Sequence, residues 1–205
     1  MSMKPLSLLA LAFALGLAMP AAAQEMPGKA DVARISGGTY GVDTNHTQII
    51  WTVDHLGLSP LSGMFGAGEG TLNLDPKAPQ AATLQLSIPI STLAVTSKSF
   101  GQDLGGSGFF DVAKFPSATF KSTKVTPHGA KATVEGELTL HGVTHPVTLE
   151  VSLFGAGINP RSKREEIGFT ATATLRRSDF GLGVAVPLVS DEVKLDLVGV
   201  FRKNS

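Results

Sequence analysis

The sequence predicts an all-β fold that closes into an eight-stranded antiparallel barrel, and three observations support this prediction. Apolar residues recur with period two over most of the chain after residue 47, which is the pattern of strands with one buried face. Apolar residues at helical spacing are scarce. Glycine and proline make up about 18% of the residues after position 23, against about 12% in an average protein, which indicates many tight turns.

The N-terminal segment has the pattern of a secretory signal peptide. Lys4 precedes an apolar run at 6–19, and small residues occupy the positions before a cleavage site that follows Ala23. The run of about 14 residues is too short to span a bilayer comfortably. We expect the mature protein to begin at Gln24 and to have no transmembrane segment. The predicted divisions are 1–23 as signal peptide, 24–38 as a flexible N-terminal lead-in and 39–205 as the barrel domain.

The strands are predicted from the alternation of apolar and polar residues. In the first clear strand Ile49, Trp51 and Val53 share one face, and His55 falls on the same side. Residues 141–146 separate two later strands as a hairpin turn, and shorter strands at 65–74 and 118–125 bring the total to about eight. The remaining inward residues are Leu84, Leu86, Ile88, Ile90, Val134, Gly136, Leu138, Leu140, Val147, Leu149, Val151, Leu153, Ile167, Phe169, Ala171, Ala173, Leu175, Val193, Leu195, Leu197, Gly199 and Phe201.

Eight amphipathic strands must bury their apolar faces in a barrel or in a sandwich, and the glycines favour the barrel. A cluster at Gly63, Gly66, Gly68 and Gly70 permits bulges and sharp coiling where a sheet turns on itself. Small inward residues such as Gly136 are expected to leave interior volume, and an eight-stranded barrel is wide enough to hold one small ligand. The glycine-bearing segment 97–114 lacks strand alternation, so we predict short helical turns across one barrel mouth.

Charge and cysteine content exclude several classes of function. The chain has 17 basic and 17 acidic residues, so a nucleic-acid binder with a basic surface is not expected, and the run Arg161, Lys163, Arg164 is interpreted as a solvated loop. The absence of cysteine excludes a thiolate nucleophile, a thiolate metal ligand and a lipoprotein anchor.

Two histidine and aspartate combinations are the candidates for hydrolytic chemistry. His55 or His46 could act as a base near Asp43 or Asp54. Neighbouring residues of a strand point to opposite faces, however, so Asp54 cannot orient His55 within one strand. We therefore predict no catalytic residues.

Other motifs also have simpler interpretations. His141 and His145 have the spacing of a helical metal pair, but Gly142 and Pro146 predict a turn there, so no metal site is expected. The glycines at 105–108 lack the flanking strand and helix of a phosphate-binding loop, and we interpret them as a mouth loop. No cofactor is predicted.

Several motifs resemble one known family. The segments GELTLHGVTHPV at 136–147, RSDFG at 177–181 and FPSATFKS at 115–122 look like those of the YceI family of bacterial polyisoprenoid-binding proteins, and residues 40–57 are similar to its opening strands. The resemblance covers roughly residues 39–202. Two departures concern the head-group end of a ligand: DLGGS at 103–107 replaces a His-Leu motif, and Thr47 replaces the usual serine after His46.

The resemblance implies a lipocalin-like, extended eight-stranded barrel in the periplasm, whose interior holds a long isoprenoid or another amphiphilic chain. We expect a non-enzymatic carrier or sequestering protein. An enzyme acting on an isoprenoid and a stress-related structural protein with an incidental pocket are the alternatives, and a homodimer stays open. Burying about 20 carbons would supply ~16 kcal/mol, partly offset by lost ligand freedom.

The predicted ligand-binding residues come from the inward faces and from one mouth. Arg177 has two interpretations: it lies near the polar head of a ligand, or it belongs to a structural corner in which Asp179 caps a turn and Phe180 plugs the barrel. For His55, a structural role and ligand contact are equally open. The full set is Trp51, Val53, His55, Phe65, Leu86, Ile88, Leu104, Phe109, Phe110, Phe120, Leu138, Leu149, Phe169, Leu175, Arg177 and Phe180.

Overall fold

A computed structural model of the protein describes residues 25–204, and ten antiparallel strands and one short helix make up most of it. The predicted signal peptide at 1–23 lies outside the described residues. The elements are β1 Gly38–Val42, β2 Gln48–His55, β3 Ser59–Gly66, β4 Gly70–Leu74, β5 Thr83–Pro89, α1 Lys98–Gly105, β6 Ser117–His128, β7 Lys131–Leu140, β8 Val143–Ile158, β9 Glu165–Arg176 and β10 Glu192–Lys203. Short 3-10 turns span Val32–Arg34, Pro79–Ala81, Ile90–Thr92 and Arg177–Phe180.

The ten strands occupy eight positions in a closed ring, which confirms the predicted barrel. β10 pairs with β1 at one end, where Val42 lies opposite Phe201, and with β2 further along, where Gln48 lies opposite Val198. β4 pairs with β1 and β3 pairs with β2 in the same way. β1 and β2 therefore form one interrupted strand, and β3 and β4 form the next. The ring then continues from β4 through β10 and closes by the pairing of β10 with β1.

The interruption between β1 and β2 is bridged by a side chain. The hydroxyl of Thr47 accepts a hydrogen bond from the N–H of Val200 at 3.0 Å and donates to its carbonyl at 3.3 Å. The N–H of Asp43 donates to the same carbonyl at 2.7 Å. A serine hydroxyl could make the same bonds, so the Thr47 departure leaves this bridge intact. Thr47 also lines the interior of the barrel.

The glycine cluster permits bulges, but β3 contains none. β3 keeps its register with β2 from Ser59 to Gly66. Register shifts lie instead in β6, between Ser122 and Lys124, and in β8, between Leu153 and Gly155. The cluster at 66–70 marks the interruption between β3 and β4 rather than a bulge within one strand.

Two inward glycines make room for aromatic rings. A Cβ at Gly136 would lie 2.3 Å from Cζ of Phe120, and a Cβ at Gly63 would lie 2.3 Å from Cζ2 of Trp51. The expectation that Gly136 leaves empty volume is therefore wrong, because a ring from the neighbouring strand fills that space.

The helix α1 lies near one mouth of the barrel, in the connection between β5 and β6. The segment before α1 is joined to β3 by an isolated bridge between Met64 and Ala94 and by hydrogen bonds between Thr92 and Gly66. The hydroxyl of Ser97 accepts the N–H of Phe100 at 3.4 Å and caps α1, and Leu104 packs into the same core cluster as Trp51. The predicted helical segment at one mouth is confirmed.

Candidate functional site

One long apolar cavity of about 650 Å³ runs through the barrel. We call the end that carries His55, Arg177 and Leu104 the mouth, and the end that carries Ile35 and Pro127 the base. Inward side chains from all of the ring strands except β1 contribute to the wall between these ends. The cavity thus has the shape and the chemical character of a site for an extended apolar chain.

Fifteen of the sixteen predicted site residues line this cavity. The alternation of inward and outward side chains predicts the direction of those that lie on strands, and the contact of all of them with a ligand stays a prediction. They are Trp51, Val53, His55, Phe65, Leu86, Ile88, Leu104, Phe109, Phe110, Phe120, Leu138, Leu149, Phe169, Leu175 and Arg177.

Phe180 is the exception, because it is not among the lining residues. It is 1% exposed and packs in a cluster with Phe120 and Leu138. Its ring meets the ring of His145 edge-on at 5.4 Å between centroids, and its carbonyl oxygen lies 3.2 Å from Nδ1 of His141. This position fits the structural-corner interpretation of the motif.

Both ends of the cavity include residues that the sequence analysis missed. The missed base residues include Ile35, Pro79, Val125, Pro127 and Ala130, and the missed mouth residues include Val184, Ala185 and Val189. Most lie in turns and connecting segments, where no period-two pattern identifies an inward face. A charge-free apolar stretch at 182–189 was the one available signal.

The lead-in predicted at 24–38 contributes to the base. Lys29 forms an isolated bridge with Ala156 of β8, and its N–H and carbonyl bond to that residue at 3.2 and 2.8 Å. Val32 and Ile35 line the cavity. This segment therefore covers part of the base.

Arg177 ties the mouth loop 182–189 to the end of β9. Its guanidinium donates to the carbonyls of Ser190 at 2.9 Å, Val184 at 2.8 Å and Val189 at 2.8 Å, and also to that of Leu182. Burial lowers the pKa of Arg177 and outweighs the opposing effect of the Asp191 carboxylate. Four of the five N–H donors of this side chain are therefore occupied by main-chain oxygens, which supports the structural interpretation.

The charged lining residues are exclusively basic in the part of the chain that the structure describes. Arg177 lies at the mouth and Lys131 at the base, and the lining contains neither aspartate nor glutamate. The potential inside the cavity thus favours a neutral or anionic group over a cationic one.

A buried glutamate joins the lead-in to the barrel. Glu165, which is 8% exposed, accepts hydrogen bonds from the N–H and hydroxyl of Ser36 at 3.1 and 2.5 Å and from the hydroxyl of Tyr40 at 2.8 Å. Burial raises the pKa of Glu165, but these hydrogen bonds and the charge of Lys203 outweigh it and leave the pKa below its usual range. Burial and the bond to Glu165 raise the pKa of Tyr40 to about 12. Neither residue lines the cavity, so the cluster serves to hold the lead-in and β1 against the start of β9.

The pair His46 and Asp43 has one feature of a catalytic pair but lies outside the cavity. Nδ1 of His46 is 2.9 Å from the Asp43 carboxylate, which also accepts from Arg202 at 2.9 Å. The His46 side chain is 69% exposed. Within residues 25–204, no hydroxyl group hydrogen-bonds to His46, so the pair lacks the nucleophile that hydrolysis needs.

The remaining histidines lie in or beside turns. His141 occupies the β7–β8 turn with a φ of 52°, and its ring packs on Phe115 at 4.4 Å. Among the described residues, no three His, Cys, Asp or Glu side chains form a group that could hold a metal ion. None of the helices in that part of the chain is long and apolar enough to cross a membrane.

Solved structures with the same fold include proteins of Burkholderia cenocepacia, Campylobacter jejuni and Saccharophagus degradans. The chain superposes on BcnA of Burkholderia cenocepacia with a TM-score of 0.67 and 24% identity, covering 78% of this chain and 98% of that one. The YCEI protein of Campylobacter jejuni gives a TM-score of 0.62 at 24% identity, covering 74% and 90%. A polyisoprenoid binding domain from Saccharophagus degradans gives 0.60 at 13% identity, covering 80% and 98%.

Sequence comparisons extend over most of the chain. A UPF0312 protein of Pseudomonas aeruginosa is 34% identical over 186 residues, which are 90% of this chain and 92% of that protein. A UPF0312 protein of Enterobacter sp. strain 638 is 37% identical over 169 residues, which are 80% and 88% of the two chains. The YceI-like domain family matches residues 40–201. The motifs, the closed barrel and these matches show that this chain belongs to the YceI-like domain family.

Proposed function

We propose that the protein is a non-enzymatic carrier or sequestering protein for one long isoprenoid, of the polyprenyl or quinone type, or for a similar amphiphile. The observation that carries this proposal is the apolar cavity of about 650 Å³, which extends from the mouth to the base. The name of the Saccharophagus degradans domain, which describes polyisoprenoid binding, supports the same ligand class. His46 and Asp43, which are hydrogen-bonded to each other, lie outside the cavity, and this supports binding without catalysis.

The cavity volume sets the scale of affinity. At about 30 Å³ for each group the size of a water molecule, the cavity holds about 20 carbon groups. At ~0.8 kcal/mol for each carbon group removed from water, burial supplies ~16 kcal/mol before the loss of ligand freedom is subtracted. Apolar contact therefore dominates binding, and selectivity depends mainly on chain length and shape.

The ends of the cavity determine how the head group is tolerated. Arg177 and Lys131 are the charged groups in the described lining, so a neutral or anionic head fits better than a cationic one. Since Arg177 uses four donors on main-chain carbonyls, its contribution to a ligand is mainly long-range charge. We infer a head-group preference that is weak compared with the effect of the chain.

We further propose that the protein acts in the periplasm. The segment 1–23 has the charge, apolar run and cleavage pattern of a signal peptide. N-terminal sequencing of protein from the periplasmic fraction should give Gln24 as the first residue. An intact Met1 in the membrane fraction would contradict the export proposal and leave the binding proposal unaffected.

Native mass spectrometry of the protein purified from its own periplasm tests the carrier proposal. We expect one co-purifying lipid per chain, which organic extraction removes and an added polyprenyl compound replaces. Phe169→Glu should abolish this binding because it puts a charge in the wall, and Thr172→Glu, on the exposed face of the same strand, should not. A folded protein that neither carries nor takes up such a lipid would refute the proposal, and conversion of the lipid would favour an enzyme.

A further inference from the structure

Five apolar side chains are exposed together around the mouth, and we call them the apolar rim: Leu56, Leu58, Val184, Val186 and Leu188. Two loops supply them, the β2–β3 turn and the loop that follows the Arg177–Phe180 turn. Leu58 is 83% exposed and Leu188 is 64% exposed. A soluble monomer exposes contiguous apolar patches of this kind mainly where something binds.

The segments that carry the apolar rim contain no charged side chain. Residues 55–68 and 180–190 lack Asp, Glu, Lys and Arg altogether. Exposed loops normally carry polar and charged residues, whereas charged groups are costly in the apolar part of a membrane interface. The composition of both loops therefore suits an apolar surface better than water.

The backbones of the two loops are hydrogen-bonded to each other and within themselves. The N–H of Leu56 donates to the carbonyl of Leu188 at 2.7 Å, and the N–H of Leu58 donates to that of His55 at 3.1 Å. In the second loop the N–H of Val186 donates to the carbonyl of Gly183 at 3.2 Å. Because unpaired backbone groups are what make irregular chain costly in lipid, these bonds lower the cost of placing the loops there.

The apolar rim is continuous with the wall of the cavity. Val184 is both exposed and part of the lining, and Ala185 and Val189 of the same loop also line the cavity. His55, which precedes Leu56, is a lining residue as well. An acyl or prenyl chain that leaves the cavity at this end would thus pass directly over the apolar rim.

The size of the apolar rim favours a membrane over a second copy of the chain. Five partly exposed side chains amount to roughly 300–600 Å², the size of the largest patch on an ordinary monomer. A stable protein interface needs about 800 Å² from each partner. Shallow insertion into a bilayer requires no matching partner surface, and a few apolar side chains already give measurable partitioning.

We propose that the apolar rim inserts into the surface of a lipid bilayer and seats the mouth of the barrel on the membrane. The docked mouth would let a lipid move between bilayer and cavity without crossing water. This transfer role rests on the proposed function, whereas docking itself is a property of the rim and needs no bound ligand. Since the loops are uncharged, docking should be as strong on zwitterionic as on anionic lipid and should depend little on salt.

Flotation of the mature protein with phosphatidylcholine vesicles free of isoprenoid tests the docking proposal. We expect the natural protein to float with the vesicles and the double variant Leu58→Glu, Leu188→Glu to lose at least tenfold in partitioning. The matched control is Phe154→Glu, which places a charge at an apolar residue of β8 that is 75% exposed but lies outside the rim. It should stay within threefold of the natural protein.

Two further measurements separate the outcomes. Binding of an added short prenyl alcohol, followed by Trp51 emission without vesicles, should be unchanged in the rim variant, and its thermal transition should confirm that it is folded. Failure of every protein to bind the alcohol would refute the carrier proposal alone. Membrane docking would be overturned if the natural protein does not float or if the rim variant floats equally well. It would also be overturned if the only effect of the rim variant is the loss of a dimer in sedimentation.

Discussion

The cavity can be shortened from inside by a single substitution, Ala171→Phe. Ala171 lies near the middle of β9, between Val151 of β8 and Leu197 of β10, and its side chain lines the cavity. Phenylalanine adds about six carbons at this point. If the cavity holds about 20 carbon groups, about 14 remain, and a full-length ligand loses up to ~5 kcal/mol of burial.

The expected result is a change in chain-length preference. An isoprenoid alcohol of about 20 carbons should bind Ala171→Phe roughly 10- to 1000-fold more weakly, since the new ring replaces part of the lost contact. An alcohol of about 10 carbons should change less than about threefold, because it fits the space that remains. Titration calorimetry with both alcohols measures the two affinities, and the thermal transition shows whether the variant is folded.

The matched control for this experiment is Thr172→Phe. Thr172 follows Ala171 and is exposed, so the same ring is added on the outer face of the same strand. Its affinity for both alcohols should equal that of the natural protein. If folded Ala171→Phe binds the long and short alcohols with unchanged affinities, the ligand does not lie along this wall and the volume argument fails.

Three further predictions concern the scaffold around the cavity. Hydrogen bonding leaves the folded pKa of Glu165 below its ordinary value, so the group contributes stability that is present above about pH 4.3 and is lost as the pH falls through the folded pKa. Urea unfolding of Glu165→Gln should therefore show a weaker loss of stability with acid than unfolding of the natural protein. An equal loss would contradict the role of this cluster. Gly136→Ala should destabilise the fold by about 1–3 kcal/mol in thermal unfolding, because its Cβ would meet a ring at 2.3 Å. The control Gly108→Ala should have almost no effect, because no atom lies within 4 Å of the new Cβ. Equal Tm values for the two variants would show that the ring moves freely. Removing the Arg177 donors by Arg177→Ala should cost about 1.5–3 kcal/mol and make the loop 182–189 more sensitive to limited proteolysis, and an unchanged cleavage rate would return this arginine to a ligand-binding role.

The inward faces of the strands could be predicted because they depend only on local geometry. Side chains alternate between the two faces of any strand, so Leu84, Leu138 and Phe169 reach the interior whichever strands lie beside them. The mouth helix could be anticipated from the loss of alternation at 97–114. These features require no knowledge of the partner strand.

Features that depend on a partner strand could not be predicted from the same pattern. The bulge at Ser122 and Lys124 is a mismatch with β7, and neither strand shows it alone. A ring from β6 fills the space beside Gly136. A glycine in the sequence does not reveal whether the space beside it is empty or filled by a neighbour. Arg177 could not be assigned because its acceptors are main-chain carbonyls, which every residue has.

The closure of the ring by the first and last strands has a consequence for biogenesis. Tyr40 of β1 lies opposite Lys203 of β10, so the contact that completes the barrel joins residues from opposite ends of the chain. Contacts so distant in sequence form late, since loop closure must precede them. A nascent chain that lacks its final strand has two unpaired sheet edges and cannot seal its interior. For a chain that we propose is exported, late closure suits translocation in an unfolded state, because β1 cannot pair with β10 before β10 is available.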